Sequence, residues 1–502
     1  MLAKLSLKDP SRHGSPRFGE AGYRAVAKNI IWLAVAVFAA CFFAFVIAKF
    51  ASLAIAIIPV LVVGLFLTYF ILRRPELGWF LIVFFLPFER VPTLAIAGVD
   101  LKINTVLGFI TLFAWILALM FNPKKYKVSP NALAIPLIIF VFTLVLSLTQ
   151  AVAFSRGLVV LIFILFTIVL AILATNLVNS KEILNKTLVI LFLSSLIVGI
   201  FGLFQFGGDV IGLPQSITLL KEGYTRVVFG FPRIQAFSME PLYLANFLLM
   251  PLLVGLAFFF NRTGPLNRWP LIGLLALLLI NLVLTVSRGG YLGFLGALVV
   301  LFILLFRQVF TWKNLVFGVL TVAVVGYGVA FALSRGDYRA TNEFLGHVML
   351  ADVKQGESIQ GRLKTYERSL QAYKESPILG IGIGNYGPWH KFYPDATPEK
   401  GWDIVNNQYL ELLAETGIVG LSAFILVIVV LIGRSLLALK YAQDIFLKSA
   451  LIGLLAAFVG VVIQYNFMST LYIIHIWVLI GLLVAVQNII LKNKKQLKEI
   501  GN

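Results

Sequence analysis

Apolar residues fill most of the chain in runs of about twenty, and short polar stretches separate these runs. The run at 271–286 shows no alternation of polar and apolar positions, so it predicts a helix and not a strand of a closed barrel. Counting the apolar runs predicts twelve to fourteen membrane-spanning helices, near residues 30–48, 52–72, 77–89, 104–121, 132–151, 157–178, 187–206, 241–260, 270–286, 291–306, 314–333, 413–433, 447–467 and 470–490. The third and tenth runs are short for a hydrocarbon layer of about 30 Å, and a re-entrant or interfacial segment is an alternative for the third.

One long polar passage, 334–411, interrupts the apolar pattern and is expected to be a large loop with short amphipathic helices. We therefore expect a polytopic all-α membrane protein with a defined order of regions. These regions are a basic N-terminal tail at 1–29, membrane helices at 30–206, a membrane region with an Arg-containing loop at 207–333, the large loop at 334–411, C-terminal membrane helices at 412–491 and a basic tail at 492–502.

Composition agrees with this class of protein. Of 502 residues, 60% are hydrophobic and 13% are charged, and the mean hydropathy is +0.96, far outside the usage of soluble domains. Cys41 is the single cysteine, so no intrachain disulfide or thiolate metal cluster can form. The four histidines lack ligand spacing, so neither a metal site nor a cofactor is expected.

The net charge of +19 would suggest nucleic acid as a partner of a soluble chain, but here the bilayer is the expected partner. Basic residues cluster in alternate loops and in both tails, which the positive-inside rule places in the cytoplasm. The opposite side then holds the loop at 206–240, the turn at 287–290 and the large loop. In short loops on that side, the basic exceptions are Lys49, Arg90, Lys102, Arg156 and Arg288.

The loop before the run at 241–260 contains Arg226 and Arg233 and ends with Glu240-Pro241. Proline suits the first position of a helix, so Glu240 is predicted at the mouth of a span, where the helix dipole favours its ionised form. The alternative is that Glu240 serves only as a helix cap.

Arg288 follows an apolar run and precedes Gly289 and Gly290. This order predicts a cation at a helix C-terminus, with glycine as the stop signal. The functional alternative is a guanidinium at the membrane surface, whose planar fork suits bidentate binding of phosphate.

Two patterns occur within the large loop. Leu363, Tyr366, Leu370 and Tyr373 fall on one stripe of a predicted helix that lies along the membrane or covers a cavity. The glycines of 382–387 match a bare dinucleotide motif, but no strand or βαβ unit accompanies them, so we expect tight turns and close backbone approach.

These stretches together resemble the O-antigen ligase and O-antigen polymerase superfamily of bacterial glycosyltransferases. The resemblance covers about 226–420 and depends on the order of the segments 238–245, 285–293, 361–362, 376–386 and 406–420. It implies a location in the bacterial inner membrane and transfer of undecaprenyl-diphosphate-linked glycan to an acceptor glycan outside the cytoplasm, with inversion at the anomeric carbon.

The resemblance and the residue chemistry together suggest roles for individual side chains. We expect Glu240 and Arg288 to be catalytic, with Glu240 as general base. Cations would stabilise the departing diphosphate in place of a metal ion, and the candidates are Arg226, Arg233, Arg288 and Arg362. The acceptor-side candidates are His390, Asn406, Asn407 and Tyr409.

Two features of the chain favour a polymerase. Ligases of the family carry His-Asn where this chain has Asn406-Asn407, and asparagine cannot take a proton at neutral pH. The Glu240-Pro241 sequence also looks more like the polymerases. A ligase, and a flippase or transporter for lipid-linked glycan, remain alternatives, and the sequence indicates neither the sugars nor an oligomeric state.

Overall fold

The computed structural model describes residues 51–90, 93–96, 99–226, 230–309, 357–393 and 402–500. The predicted spans at 30–48 and 314–333, and the N-terminal tail, lie outside these residues. The chain divides into two compact units, 1–70 and 71–502. In the first unit, the described residues 51–70 belong to helix α1, Ala51–Arg73.

The second unit consists mainly of helices. In chain order they are α2 Pro75–Phe84, α3 Ile103–Phe121, α4 Ala134–Ser147, α5 Phe154–Leu177, α6 Lys181–Val210, α7 Gln215–Thr218, α8 Pro241–Asn261, α9 Arg268–Leu284, α10 Arg288–Leu304, α11 Phe306–Val309, α12 Glu357–Glu375, α13 Tyr386–His390, α14 Gln408–Tyr441, α15 Ile445–Gln464 and α16 Ile474–Ile500. Short 3₁₀ turns occur at Leu148–Gln150 and Glu222–Tyr224.

Within the described residues, 7 helices are long and apolar enough to cross a membrane. They are α3, α5, α6, α8, α14, α15 and the part of α16 at Ile474–Lys492. Five further apolar helices are shorter, at Val62–Arg73, Pro75–Phe84, Ala134–Gln150, Arg268–Leu284 and Arg288–Leu304. Every predicted span that falls on described residues coincides with one of these helices, so the prediction of an all-α polytopic membrane protein is confirmed.

A short β-hairpin between α2 and α3 was not predicted. Strands β1, Thr93–Ile96, and β2, Val99–Lys102, pair antiparallel with Thr93 opposite Lys102. The third predicted span is helical only as α2, whose ten residues extend about 15 Å. It is therefore too short for a full crossing, which agrees with the alternative considered for that run.

The most buried helices are α8, α15 and α16, which pack against one another at the centre of the second unit. Small residues allow close helix approach, as is common in membrane proteins. A Cβ atom added to Gly293 of α10 would lie 2.8 Å from the Gly460 carbonyl oxygen of α15, and one added to Gly460 would lie equally close to Gly293. These glycines let the two backbones touch.

Loops at opposite ends of the helices form two separate hydrogen-bonded sets. At one end, Glu76 binds Lys125, Lys181 binds Asp444, and Asn261 donates to Ser449. We call the other end the site face. There, hydrogen bonds join residue 89 to residue 237, residue 153 to residue 385, and residue 407 to residue 466. The loops assigned to the cytoplasm by their charge thus share one end, and the predicted polar elements share the other.

The large loop is described at 357–393 and 402–411, and its helix α12 is amphipathic, as expected. The side of α12 that is buried differs from the predicted stripe, because Ser369 and Ala372 are buried whereas Leu363 and Leu370 are exposed. The helix packs on α14, and an apolar cluster at this contact contains Tyr366 and Ala372 of α12 with Leu410 and Ala414 of α14. The division of the chain into regions stays a prediction.

Candidate functional site

A cavity of about 500 Å³ opens among the loops of the site face, and we call it the main cavity. Its wall comes from the loop after α2, the start of α3, helix α5, the turn before α8, residues 383–387 and 403–415, and the loop before α16. The charged side chains in this wall are Glu89, Lys102, Arg156, Lys221, Glu240, Asp403, Glu411 and Glu415. The cavity therefore combines both signs of charge, which suits a substrate with an anionic group and a hydroxyl that must lose a proton.

Glu240 occupies the N-cap position of α8, and Pro241 follows at the first helical position, as the sequence predicted. The backbone of Glu240 is extended, with φ of −147° and ψ of 160°, and its side chain makes no capping hydrogen bond. It is exposed and lines the main cavity. The arrangement does not match the alternative of a simple cap, because the carboxylate is directed to the cavity and not to the amides of its own helix.

Three cations line the main cavity with Glu240, and none of them was among the predicted site residues. Lys221 donates from Nζ to the Met239 carbonyl at 2.8 Å, and Arg156 donates from Nε to the Gly384 carbonyl at 2.8 Å. Burial and the neighbouring charge of Arg90 lower the pKa of Lys221, whereas Glu240 raises it. Lys102 is the third cation, at the junction of β2 and α3.

The predicted arginines lie beside the main cavity and not in its wall. Nη2 of Arg233 donates to the Val286 carbonyl at 3.1 Å. Burial lowers the pKa of Arg233, the positive charge of Arg288 acts in the same direction, and Glu240 opposes both. The structure thus brings Arg233 into the electrostatic neighbourhood of both Glu240 and Arg288. Arg226 is exposed and binds the end of α6, donating from its backbone to Asp209 at 2.8 Å.

The predicted backbone position of Arg288 was wrong. Helix α9 ends at Leu284, and Val286 has a φ of 47°, which is unusual for a β-branched residue. Ser287 then caps α10 by accepting a hydrogen bond from the Gly290 amide at 3.2 Å. Arg288 consequently begins a helix instead of ending one, and the two glycines fit its first turn closely against Phe467 and Ala245.

The glycine-rich segment at 380–387 forms one wall of the main cavity. Gly380, Gly382 and Gly384 have φ of 69°, 97° and 71°, which favour glycine. The Glu415 carboxylate accepts hydrogen bonds from the amides of Gly384 and Tyr386, at 2.8 and 2.9 Å. A buried carboxylate thus fixes a tight backbone turn, as expected from the glycines.

The acceptor-side candidates separate into two groups. Asn407 caps α14 by accepting from the amides of Tyr409 and Leu410, each at 3.1 Å. The Tyr409 hydroxyl donates to the Val462 carbonyl at 2.6 Å, so both side chains make structural hydrogen bonds.

Asn406, with φ of 57°, and Arg362 line a second cavity of about 420 Å³. His390 is buried and lies with Nδ1 at 2.9 Å from Oδ2 of Asp403. Asp403 lines both cavities. The second cavity and its border therefore contain three predicted site residues, Arg362, His390 and Asn406.

Comparison with known proteins gives one family. Residues 273–425 match the model of the O-antigen ligase family. This match covers part of the chain and supports the predicted resemblance to the O-antigen ligase and polymerase superfamily. The matched region contains Arg288, Arg362 and Asp403 but not Glu240. The chain is also similar to an uncharacterized protein of Haemophilus influenzae, with 25% identity over 333 residues, which cover 62% of this chain and 80% of that protein.

Proposed function

We propose that the protein is a membrane glycosyltransferase that joins undecaprenyl-diphosphate-linked glycan units to an acceptor sugar, as an O-antigen or polysaccharide polymerase. The observation that carries this proposal is the main cavity, in which Glu240 shares one space with Lys102, Arg156 and Lys221. The family match supports a membrane enzyme that acts on glycans.

The cavity also has an apolar side that suits a lipid-linked donor. Val159 and Phe163 of α5 line the cavity and are exposed. Since α5 is long and apolar enough to cross a membrane, a prenyl chain can lie against it while its diphosphate stays near the cations.

In the proposed reaction, the acceptor hydroxyl oxygen attacks the anomeric carbon of the donor glycan. Glu240 takes the hydroxyl proton as the new carbon–oxygen bond forms. The bond to the diphosphate breaks, and the diphosphate leaves with the electron pair. Lys102, Arg156 and Lys221 line the cavity and stabilise the growing negative charge. Arg233 and Arg288 add positive charge from beside the cavity, and Arg226 and Arg362 remain candidates from the sequence.

Sidedness is part of the proposal. The described basic loops share the end opposite the main cavity, and the positive-inside rule assigns that end to the cytoplasm. The main cavity would then face the extracytoplasmic side of the bacterial inner membrane. That side holds flipped lipid-linked glycans and lacks nucleotide sugars, so the donor would carry its own activation energy in the diphosphate.

A ligase is the second candidate, because the matched family model is described as O-antigen ligase. Purified protein in liposomes, supplied with lipid-linked repeat units and no nucleotide sugar, separates the possibilities. A ladder of chain lengths supports the polymerase, and one transfer to a different acceptor supports the ligase. Unchanged substrate contradicts both and favours transport.

We expect turnover to persist in EDTA, since the described residues offer no group of three His, Cys, Asp or Glu side chains for a metal.

A further inference from the structure

The second cavity, which we call the side cavity, lies between helix α12 and the segment that precedes α14. Its wall consists of Gly361, Arg362, Thr365, Trp402, Asp403, Ile404 and Asn406. The volume of about 420 Å³ is large enough for one or two sugar rings. No residue of this wall except Asp403 and Ile404 belongs to the main cavity.

The side chains of the side cavity match the chemistry of a carbohydrate. A pyranose has a face of C–H groups that packs on an aromatic ring, and hydroxyls that bind carboxylates, amides and guanidinium groups. Trp402 is 44% exposed and supplies the ring. The guanidinium of Arg156 lies 5.1 Å from the centre of that ring, a cation–π contact that restrains its orientation.

Asp403 stands where the two cavities meet. Its Oδ2 atom lies 2.9 Å from Nδ1 of His390. The histidine ring is itself fixed, because it stacks on Tyr386 and Tyr393 at centroid distances of 5.6 and 5.4 Å. The carboxylate is therefore held in one orientation while its side chain remains 31% exposed to the cavities.

We propose that the side cavity is a sugar subsite that holds the acceptor glycan. Trp402 packs against the acceptor ring, and Asp403 accepts a hydrogen bond from a hydroxyl directed toward the main cavity. His390 is a positioning residue for Asp403. The assignment to the acceptor rests on the proposed function. We choose the acceptor over the donor because the apolar wall for the donor lipid belongs to the main cavity and the side cavity has no comparable wall.

The binding test uses the full-length protein and a probe that cannot act as donor. The probe is the reducing oligosaccharide released by mild acid from the lipid-linked repeat unit, and binding is measured by saturation-transfer NMR in detergent. We expect Trp402→Ala to weaken binding at least tenfold and Trp402→Phe to weaken it less than about threefold. Trp269→Ala is the matched control, since Trp269 is 80% exposed at the opposite end of the molecule.

The kinetic test separates acceptor from donor. With transfer measured, Trp402→Ala is expected to raise the KM for acceptor about tenfold and to change the KM for donor less than twofold. Asp403→Asn and His390→Ala are expected to act in the same direction, and His390→Asn to restore most of the wild-type KM, because asparagine places an N–H group near the position of Nδ1.

Two results would overturn the subsite, namely no binding of the free oligosaccharide by the wild-type protein at millimolar concentration, or equal binding by Trp402→Ala. If the oligosaccharide binds and Trp402→Ala weakens that binding but no transfer occurs under any condition, the sugar subsite stands and the proposed glycosyltransferase function fails. A change in the KM for donor alone would assign the subsite to the donor glycan and contradict the acceptor role.

Discussion

Oε1 of Glu89 lies 3.8 Å from Nδ1 of His475, and this contact joins the loop after α2 to the first turn of α16. Oε2 of the same carboxylate accepts a hydrogen bond from the Met239 amide at 3.2 Å, next to Glu240. Glu89 is thus a buried carboxylate that links three distant parts of the chain at the wall of the main cavity.

We predict that Glu89 makes folding stability depend on pH. Burial raises its pKa from the ordinary value of 4.5, against the opposing effects of Lys102 and the Met239 amide. A carboxyl whose pKa is higher in the folded state takes up protons on folding, so its contribution is full below pH 4.5 and is lost as the pH rises through the folded pKa. Glu89→Gln should remove the decrease in folding stability that the ionisation of Glu89 causes at higher pH.

Thermal unfolding in detergent between pH 4.5 and 8 checks the prediction for Glu89. The Tm of Glu89→Gln relative to wild type should increase with pH. Glu222→Gln, at an exposed position outside the main cavity, is the control for the loss of a glutamate. Parallel curves for Glu89→Gln and wild type would contradict the prediction.

Glu240→Gln should lower the single-turnover rate by about 10² to 10⁴-fold, the usual contribution of a general base. The fold should be preserved, since the side chain makes no capping hydrogen bond that glutamine would lose. Transfer from lipid-linked repeat units is the measurement, again with Glu222→Gln as control. A rate within threefold of wild type would remove Glu240 from the mechanism.

Arg288→Lys should lower turnover about 10²-fold, equivalent to about 3 kcal/mol of transition-state stabilisation. Lysine keeps the charge but loses the bidentate fork. Arg288 begins α10, and the positive end of a helix dipole disfavours either cation, so the substitution should leave stability nearly unchanged.

The control for Arg288 is Arg307→Lys, which lies in α11 after the opposite end of α10. Its turnover should equal that of the wild type. If both lysine variants turn over at the same rate, Arg288 has no special part in binding the diphosphate.

The predicted sidedness can be tested by labelling with a membrane-impermeant maleimide on spheroplasts. In a Cys41→Ser background, Phe392→Cys should react, because Phe392 is 74% exposed on the site face. Lys124→Cys, in a loop at the other end, should react only after the membrane is opened. Reaction of both positions in intact spheroplasts would contradict the proposed orientation.

The helices and their order were predictable because a helix in a bilayer must satisfy its own backbone hydrogen bonds, and this requires long apolar runs. The position of Glu240 at the start of a helix was predictable from its own sequence, since the following proline marks a helix start. The β-hairpin and the break at Val286 were not found. Val286 is buried and has a positive φ, and valine gives no local signal for this conformation.

The main cavity itself could not be predicted, because Glu89, Lys102, Arg156 and Lys221 meet only through the packing of distant segments. A signal was nevertheless present. Lys102 and Arg156 were exceptions to the positive-inside rule in short loops, and Arg90 and Arg288 were others. Such an exception to the rule indicates a local role for the cation, and for Lys102 and Arg156 this role is to line the main cavity.

The two parts of the large loop around the cavities have unequal freedom to change during evolution. A Cβ atom added at Gly380, Gly382, Gly384 or Gly387 would lie within 3.0 Å of another atom, so these four glycines tolerate almost no substitution. Trp402 and Asn406, in contrast, border open space in the side cavity. Homologues that act on different sugars should therefore keep the glycines and differ at positions such as Trp402 and Asn406, so that a new glycan preference could arise without refolding the glycine-rich wall of the main cavity.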